Sequence, residues 1–150
     1  MLKTIDPLLN PDVLHALAAM GHGDMLVMAD RNFPAAAVAR HTLVGRPLHM
    51  GGVPVERAVA AILSLMPLDS FVPDAAIRME VVGDPAAIPA PQIAVQAAID
   101  AAEGRHWPLT GLERHAFYAR ARQAFCVVHT DEDRPYGCFI LTKGVIFPVA

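Results

Sequence analysis

Apolar residues along the chain follow two patterns, one with helical spacing and one continuous. Asn10 is a good helix N-cap, and Pro11 and Asp12 suit the first helical turn. Apolar residues follow at helical spacing, and the glycines at positions 21 and 23 end the helix. Residues 25–29 are then a continuous apolar run between two aspartates. Such a run is typical of a strand that is buried on both faces.

The same two patterns continue to the end of the chain. They predict helices over residues 55–66, 91–103 and 110–123, and strands over residues 77–82, 124–130 and 138–142. The helix over residues 110–123 takes its start from a capping box, in which Thr110 is followed three residues later by Glu113. Because helices and buried strands interleave, we expect an α/β sandwich with a mostly parallel or mixed sheet. No repeat or polar linker divides the chain, which predicts a single domain over residues 1–150.

The composition adds an expectation about assembly. Hydrophobic residues make up 54% of the chain and charged residues 18%, which excludes intrinsic disorder. The mean hydropathy of +0.37 is high for one small domain, so we expect further burial in a homo-oligomer larger than a dimer. The 12 basic residues are scattered among 15 acidic ones, giving a net charge of −3. Without a basic stripe, duplex nucleic acid is not an expected partner.

The remaining bulk features bear on location. No apolar run reaches the roughly 18–20 residues of a membrane span, so no membrane association is expected. The first residues contain no long apolar stretch of the kind found in secretory signals. Two cysteines, Cys126 and Cys138, do not form a disulfide framework. These features together predict a reduced, cytoplasmic protein.

Most known catalytic signatures are absent. The chain has no glycine-rich phosphate loop, no nucleophile elbow and no His-Glu-x-x-His pattern. Its two serines, Ser64 and Ser70, do not lie between glycines, which argues against serine hydrolysis. The seven histidines are not spaced as metal ligands, so neither a metal nor a cofactor is predicted.

One histidine stands apart, in Gly-His-Gly-Asp at residues 21–24. His22 lies between a predicted helix and strand, where we expect a ligand crevice, and imidazole suits proton transfer near neutral pH. Alternatively, the glycines merely cap the helix and His22 is a solvated loop residue. Asp30 and Asp69 are candidate polar partners or simple turn residues. For Asp24 we favour the role of marking the strand end.

A second group of candidates lies near the C-terminal half. Arg114, Tyr118 and Arg122 recur at i, i+4 and i+8 and therefore face one way on a predicted helix. A solvated stripe explains the same spacing, and we retain that explanation for Arg122. Tyr118 and Tyr136 are the only tyrosines of the chain. A phenol can hydrogen-bond a sugar hydroxyl and stack on a sugar face, or lie with a satisfied hydroxyl at the edge of a core.

Several segments, in order along nearly the whole chain, resemble the fucose mutarotase and ribose pyranase family. They are Gly-His-Gly-Asp (21–24), Ala-Asp-x-x-Phe-Pro (29–34), Leu-Asp-Ser-Phe (68–71), Arg-x-Ala-Phe-Tyr-x-Arg-Ala (114–121) and Tyr-Gly-x-x-Ile-Leu-x-Lys-Gly-Val (136–145). The first segment and the Phe-Tyr-x-Arg-Ala helix resemble the fucose branch of that family. Residues 84–107 carry no part of the resemblance.

The resemblance implies an activity and a site. Members of this family interconvert the anomers of a free sugar by opening and reclosing its ring, without a cofactor. The histidine that matches His22 acts as proton donor, and Asp69 could orient it or tune its charge. The matching sugar-site residues are Asp30, Asp69, Arg114, Tyr118 and Tyr136. The implied fold is a three-layer α/β/α sandwich, and many members form ring-like decamers with sites near subunit interfaces.

The chain departs from the family at one sugar-site position. Cys138 stands where the family usually has asparagine. An amide donates and accepts hydrogen bonds well, whereas a thiol does both weakly, so a contact to a sugar hydroxyl would be lost. Cys138 could instead pack in the sheet as a small apolar residue. Three alternatives to a fucose-type mutarotase follow: a pyranase acting on ribose, a non-catalytic monosaccharide-binding protein on the same fold, and a purely structural oligomeric subunit.

Overall fold

Helices and strands alternate along residues 1–150, all of which the computed structural model describes. There are five helices and six strands. In chain order they are α1 (Pro11–Ala19), β1 (Met25–Ala29), α2 (Ala35–Ala39), β2 (Leu48–Met50), α3 (Val55–Leu63), β3 (Ala76–Met79), α4 (Ala90–Glu103), β4 (Thr110–Leu112), α5 (Arg114–Ala121), β5 (Cys126–Thr130) and β6 (Phe139–Thr142). The longest helix, α4, has 14 residues, and no helix is long and apolar enough to cross a membrane.

The six strands form one mixed sheet in the order β2-β5-β1-β6-β3-β4. Five strands share one direction, and β6 runs antiparallel between β1 and β3. The carboxyl ends of the five parallel strands therefore meet at one edge of the sheet, which we call the carboxyl edge. Their amino ends meet at the opposite amino edge. The mixed sheet confirms the expected class, and the last strand lies inside the sheet.

Helices cover both faces of the sheet and complete three layers. On one face α1, α3 and α4 pack over apolar residues such as Leu26, Met28 and Phe139. On the other face α2 and α5 pack over a smaller cluster that includes Val27 and Ile140. Because successive strand residues point to opposite faces, the apolar run of β1 supplies both clusters. This arrangement is the expected three-layer α/β/α sandwich.

The first helix forms for the reasons that its sequence indicates. The Asn10 side chain accepts a hydrogen bond from the Val13 N–H at 3.1 Å, which satisfies one of the free donors of the first turn. Val13, Ala16 and Leu17 are buried against the sheet. The predicted N-cap is confirmed, and the predicted apolar stripe is confirmed at Val13 and Leu17, whereas Ala18 is exposed and Ala16 is buried in its place.

The predicted capping box at Thr110 is wrong. Residues Thr110–Leu112 form β4, which pairs with β3 at the edge of the sheet. The N-cap of α5 is Glu113, whose carboxylate accepts hydrogen bonds from the backbone N–H groups of His115 and Ala116. A three-residue strand is too short to show a period, so the sequence predicts the start of this helix three residues too early. The short elements α2 and β2 are not among the predicted helices and strands.

Candidate functional site

His22 and Asp69 form a hydrogen-bonded pair at the amino edge. The two side chains meet with His22 Nε2 3.1 Å from Asp69 Oδ2. The Asp69 side chain is 3% exposed, whereas the His22 side chain is 47% exposed. The Phe71 ring lies edge-on to the imidazole, with ring centroids 5.5 Å apart. The predicted partnership of Asp69 with His22 is thus present, and it leaves one face of the imidazole accessible.

Backbone contacts hold both members of this pair. Asp69 N–H donates to the Thr142 carbonyl, and Asp69 Oδ1 accepts from the Phe71 N–H at 3.0 Å. Gly23 has φ of +87°, a conformation that favours glycine, and its N–H donates to the Lys143 carbonyl. The loop that presents His22 is therefore anchored to the end of β6, which also anchors Asp69.

A second group of predicted residues surrounds a cavity of about 220 Å³ at the carboxyl edge. We call it the carboxyl-edge pocket. Its lining residues are Asp30, Asn32, Phe33, Met79, Arg114, Tyr118, Pro135, Tyr136 and Cys138. Five of the six residues expected at the sugar site are among them, namely Asp30, Arg114, Tyr118, Tyr136 and Cys138, whereas Asp69 lies with His22 at the amino edge. The other four lining residues were not predicted, because only the fold brings β3 and the loop after β1 to the same place.

Asp30 organises the floor of the pocket. Its Oδ1 accepts hydrogen bonds from the N–H groups of Asn32 and Phe33, and its Oδ2 accepts from the Gly137 N–H at 3.1 Å. Asp30 is buried at the end of β1. The carboxylate therefore joins the loop after β1 to the turn before β6, and it brings a negative charge to the pocket wall.

The two tyrosines supply aromatic walls. The Tyr118 ring lies 5.5 Å from the Phe33 ring, and burial together with the nearby Cys138 and Asp30 raises the pKa of its hydroxyl. Tyr118 therefore stays neutral at physiological pH. The Tyr136 hydroxyl oxygen accepts a hydrogen bond from the Val82 N–H at 3.1 Å, which leaves its own proton free to donate.

Cys138 borders the pocket and is also part of the apolar cluster beneath α2 and α5. Its side chain is buried, and this burial, reinforced by the Asp30 carboxylate, raises the pKa of the thiol well above its usual range. A neutral thiol is a poor nucleophile. Cys138 therefore forms a small apolar part of the pocket wall. It borders the pocket, as expected of a sugar-site position, and it also packs in the apolar cluster, as expected of a small core residue.

The two groups of residues are separated by the length of β1. His22 precedes β1 and Asp30 follows it, and five strand residues span about 16 Å at roughly 3.3 Å each. In sheets of this class ligand crevices lie at the carboxyl ends of strands. The junction that holds His22 is at the amino edge, so the expected crevice is not there. Within one chain, His22 and Asp69 do not reach the carboxyl-edge pocket.

Glu132 is a buried charged residue whose importance to the fold the sequence did not reveal. It is buried in the turn before β6, where Oε2 accepts from the Val55 N–H at the start of α3. Arg134 donates to both of its oxygens at 2.8 and 2.7 Å and also to Glu56 at 2.6 Å. The hydrogen bonds from Arg134 lower the pKa of Glu132 to about 2. In a run of four charged residues, only the fold shows which one is buried.

We expect Glu132→Gln to destabilise the protein more at neutral pH than in acid. The folded-state pKa lies below the ordinary value of 4.5, so the carboxylate stabilises the fold above about pH 4.5, and this contribution is lost as the pH falls toward 2. Hydrogen bonds to charged groups contribute about 1.5–3 kcal/mol. Urea unfolding should show a loss of that size at neutral pH and a smaller one near pH 3. Equal losses at both pH values would contradict this role.

The chain is similar to known proteins over almost its whole length. The RbsD / FucU transport protein family matches residues 3–146. Fucose mutarotase of Bos taurus is 40% identical over 152 residues, which cover 99% of this chain and 96% of that protein. The crystal structure of fucose mutarotase from Streptococcus pneumoniae in complex with L-fucose matches at 37% identity and a TM-score of 0.86, covering 97% of this chain and all of that one.

A further solved structure, provisionally assigned as a sugar-binding protein, shares 57% sequence identity with this chain. Its TM-score is 0.96, and the match covers 98% of this chain and 97% of that one. Sequence and fold thus agree over almost the whole length. The chain belongs to the RbsD / FucU family.

Proposed function

We propose that the protein is an aldose mutarotase of the fucose type, which interconverts the α and β anomers of a free monosaccharide. The carboxyl-edge pocket carries the proposal, because it collects a carboxylate, a guanidinium and two phenols from three parts of the chain. Its volume of about 220 Å³ is below the roughly 300–1,000 Å³ of sites for drug-sized ligands, which suits one sugar ring. The fucose mutarotase relatives support the choice of sugar.

The proposed chemistry needs only proton transfer. A donor protonates the ring oxygen as the bond from that oxygen to the anomeric carbon breaks, and the anomeric hydroxyl loses its proton as the carbonyl forms. Rotation and reclosure give the other anomer. His22 is the proposed donor, and Asp69 fixes which ring nitrogen faces the sugar through their 3.1 Å hydrogen bond. No covalent nucleophile and no cofactor are required.

The pocket residues have the proposed role of holding the sugar. Arg114 and Asp30 can bind hydroxyls through hydrogen bonds that involve a charged group. Tyr118 can stack on a sugar face, and Tyr136 can donate its free proton. These contacts bind both anomers and the open chain, so they place the ring oxygen without taking part in proton transfer.

We infer that a second copy of the chain brings His22 and Asp69 to this pocket. The pair lies on the opposite edge of the sheet from the pocket of its own chain, with β1, about 16 Å long, between His22 and Asp30. Three exposed apolar side chains accompany the pair. The Phe71 ring contacts His22, and Ile146 and Phe147 come shortly after the end of β6. Such a surface is typical of a subunit interface.

When a contact between two different edges is repeated head-to-tail from one copy to the next, it generates rings if it closes. We infer a homo-oligomer larger than a dimer, and the family resemblance favours a decamer. We also infer a cytoplasmic location, which is supported by two free, buried cysteines that a reducing compartment would maintain.

Anomer exchange measured by NMR tests the proposed function. Saturation transfer between the α and β signals of fucose should increase strongly when the protein is added, and ribose serves as the comparison sugar. The second candidate is a non-catalytic sugar-binding protein, which is favoured by Cys138 in place of the usual family asparagine. Binding of fucose without faster exchange would support that candidate, faster exchange of ribose alone would indicate a pyranase, and no binding at all would support a structural subunit.

We expect Cys138→Asn to tighten the binding of fucose-like sugars. A hydrogen bond to a neutral hydroxyl contributes about 0.5–1.5 kcal/mol, or a three- to twelve-fold change in affinity. Asp30 lies beside Cys138 and could accept a bond from the new amide, so burying the amide should cost little stability. Fucose titrations and thermal melts of both forms check this. A lower melting temperature with unchanged fucose affinity would show that Cys138 only packs.

A further inference from the structure

The side chain of Gln92 connects α4 to the wall of the carboxyl-edge pocket. It is completely buried, with 0% exposure. Its Nε2 donates to the Met79 carbonyl at 2.7 Å and to the Tyr136 carbonyl at 3.1 Å. Its Oε1 accepts from Arg78 Nη1 at 3.3 Å. Both polar atoms of the amide are therefore used, and two of its three partners lie next to pocket side chains.

The start of α4 explains why this side chain turns toward the sheet. Gln92 is the third residue of the helix, a position where glutamine commonly turns back to the N–H of the N-cap residue. The N-cap here is Pro89, which has no N–H to offer. The amide is thus free to reach the ends of β3 and of the turn before β6.

Tyr136 needs such support. Its φ is +64°, a left-handed conformation that is unfavourable for a residue with a side chain and persists only when its surroundings hold it. The Gln92 amide holds the carbonyl of Tyr136, and the Val82 N–H holds its hydroxyl oxygen. The backbone carbonyl and the side-chain hydroxyl of Tyr136 are therefore held by different parts of the chain. The contact to the carbonyl comes from the Gln92 side chain on α4.

We propose that Gln92 is a positioning residue for sugar binding, which acts by holding Tyr136 in the orientation that the pocket requires. The importance of this orientation for a sugar rests on the function proposed above. The effect of Gln92 on the conformation of Tyr136 does not depend on that function. The conformation of Tyr136 and the affinity for the sugar can be measured separately.

Two variants of Gln92 and one matched control test the proposal. Gln92→Glu keeps the shape and the acceptor for Arg78 but loses the two donated hydrogen bonds, whereas Gln92→Met keeps only the packing. The control is Gln96→Glu, one turn further along α4. Gln96 Nε2 also donates to a backbone carbonyl, that of Trp107 at 2.7 Å, but it does not contact the carboxyl-edge pocket.

The two tyrosines provide a direct readout. In protein labelled with ¹³C-tyrosine, each Gln92 variant should shift the Tyr136 signal and leave that of Tyr118 in place, and the control should shift neither. Fucose affinity should fall about three- to ten-fold in both Gln92 variants, the loss expected for a hydrogen bond, with a smaller change in kcat than in KM.

An unchanged Tyr136 signal in a folded Gln92 variant would overturn the proposal, and so would a shifted signal with unaltered fucose affinity. If Gln92→Glu fails to fold, Gln92→Met gives the same readout. If the parent protein binds no sugar, the function is wrong, and the tyrosine signals still show whether Gln92 holds Tyr136.

Discussion

Replacing His22 with alanine should abolish catalysed anomer exchange while leaving the fold nearly as stable as before. A positioned acid or base typically contributes about 10²–10⁴-fold to a rate, and no other imidazole lies in this loop. The His22 side chain is 47% exposed and contacts mainly Asp69 and Phe71. Removing a half-exposed imidazole from a loop costs little packing, so the melting temperature should change little. NMR exchange rates and thermal melts measure both effects.

His115→Ala is the matched control, because His115 is an exposed histidine that lies outside the carboxyl-edge pocket. It should exchange anomers at the parental rate. Fucose binding should persist in His22→Ala, since the binding residues are at the other edge of the sheet. Parental exchange in His22→Ala would show that His22 is not the proton donor.

Mixing two impaired variants should restore part of the activity. His22→Ala lacks the proposed donor, and Arg114→Ala lacks a charged hydrogen-bond donor that would contribute about 1.5–3 kcal/mol to sugar binding. If each site combines His22 of one copy with Arg114 of the next, random mixing leaves about one quarter of the sites intact. Exchange rates of the co-refolded mixture, at sugar concentrations below saturation, measure the recovery.

The controls are each variant refolded alone and the two mixed without unfolding. Native mass spectrometry of the co-refolded sample shows whether both variants are present in one oligomer, and sedimentation gives the size of that oligomer. Mixed oligomers that remain inactive would place the complete site within a single chain. A stable monomer at micromolar concentration would remove the shared site altogether.

Local signals explain which elements were predictable. Asn10 caps α1 through its own side chain, the apolar run of β1 is buried on both faces, and Gly104 ends α4 with φ of +71°. Each of these depends on residues that are close in sequence. The elements α2, β2 and β4 have three to five residues and show no reliable period, so their existence depends on neighbours supplied by the fold.

The site was predictable in its residues more than in its arrangement. The family resemblance indicated His22, Asp69 and five of the pocket residues, because its motifs can be recognised in order along the chain. Glu132 and Gln92 escaped notice, since neither a charged run nor an alanine-rich helix shows which polar side chain is buried. Their importance comes from backbone groups at Val55 and Tyr136 that are distant in sequence.

The sequence alone determined the α/β class, the main helices and strands, and the set of candidate groups. These follow from local periodicity, capping and residue chemistry. Only the tertiary structure decided that β6 lies inside the sheet and that His22 and Asp30 are at opposite edges. Strand order and direction depend on contacts between distant segments, and these are not encoded in any local pattern. The same long-range geometry is what separates His22 from the carboxyl-edge pocket of its own chain.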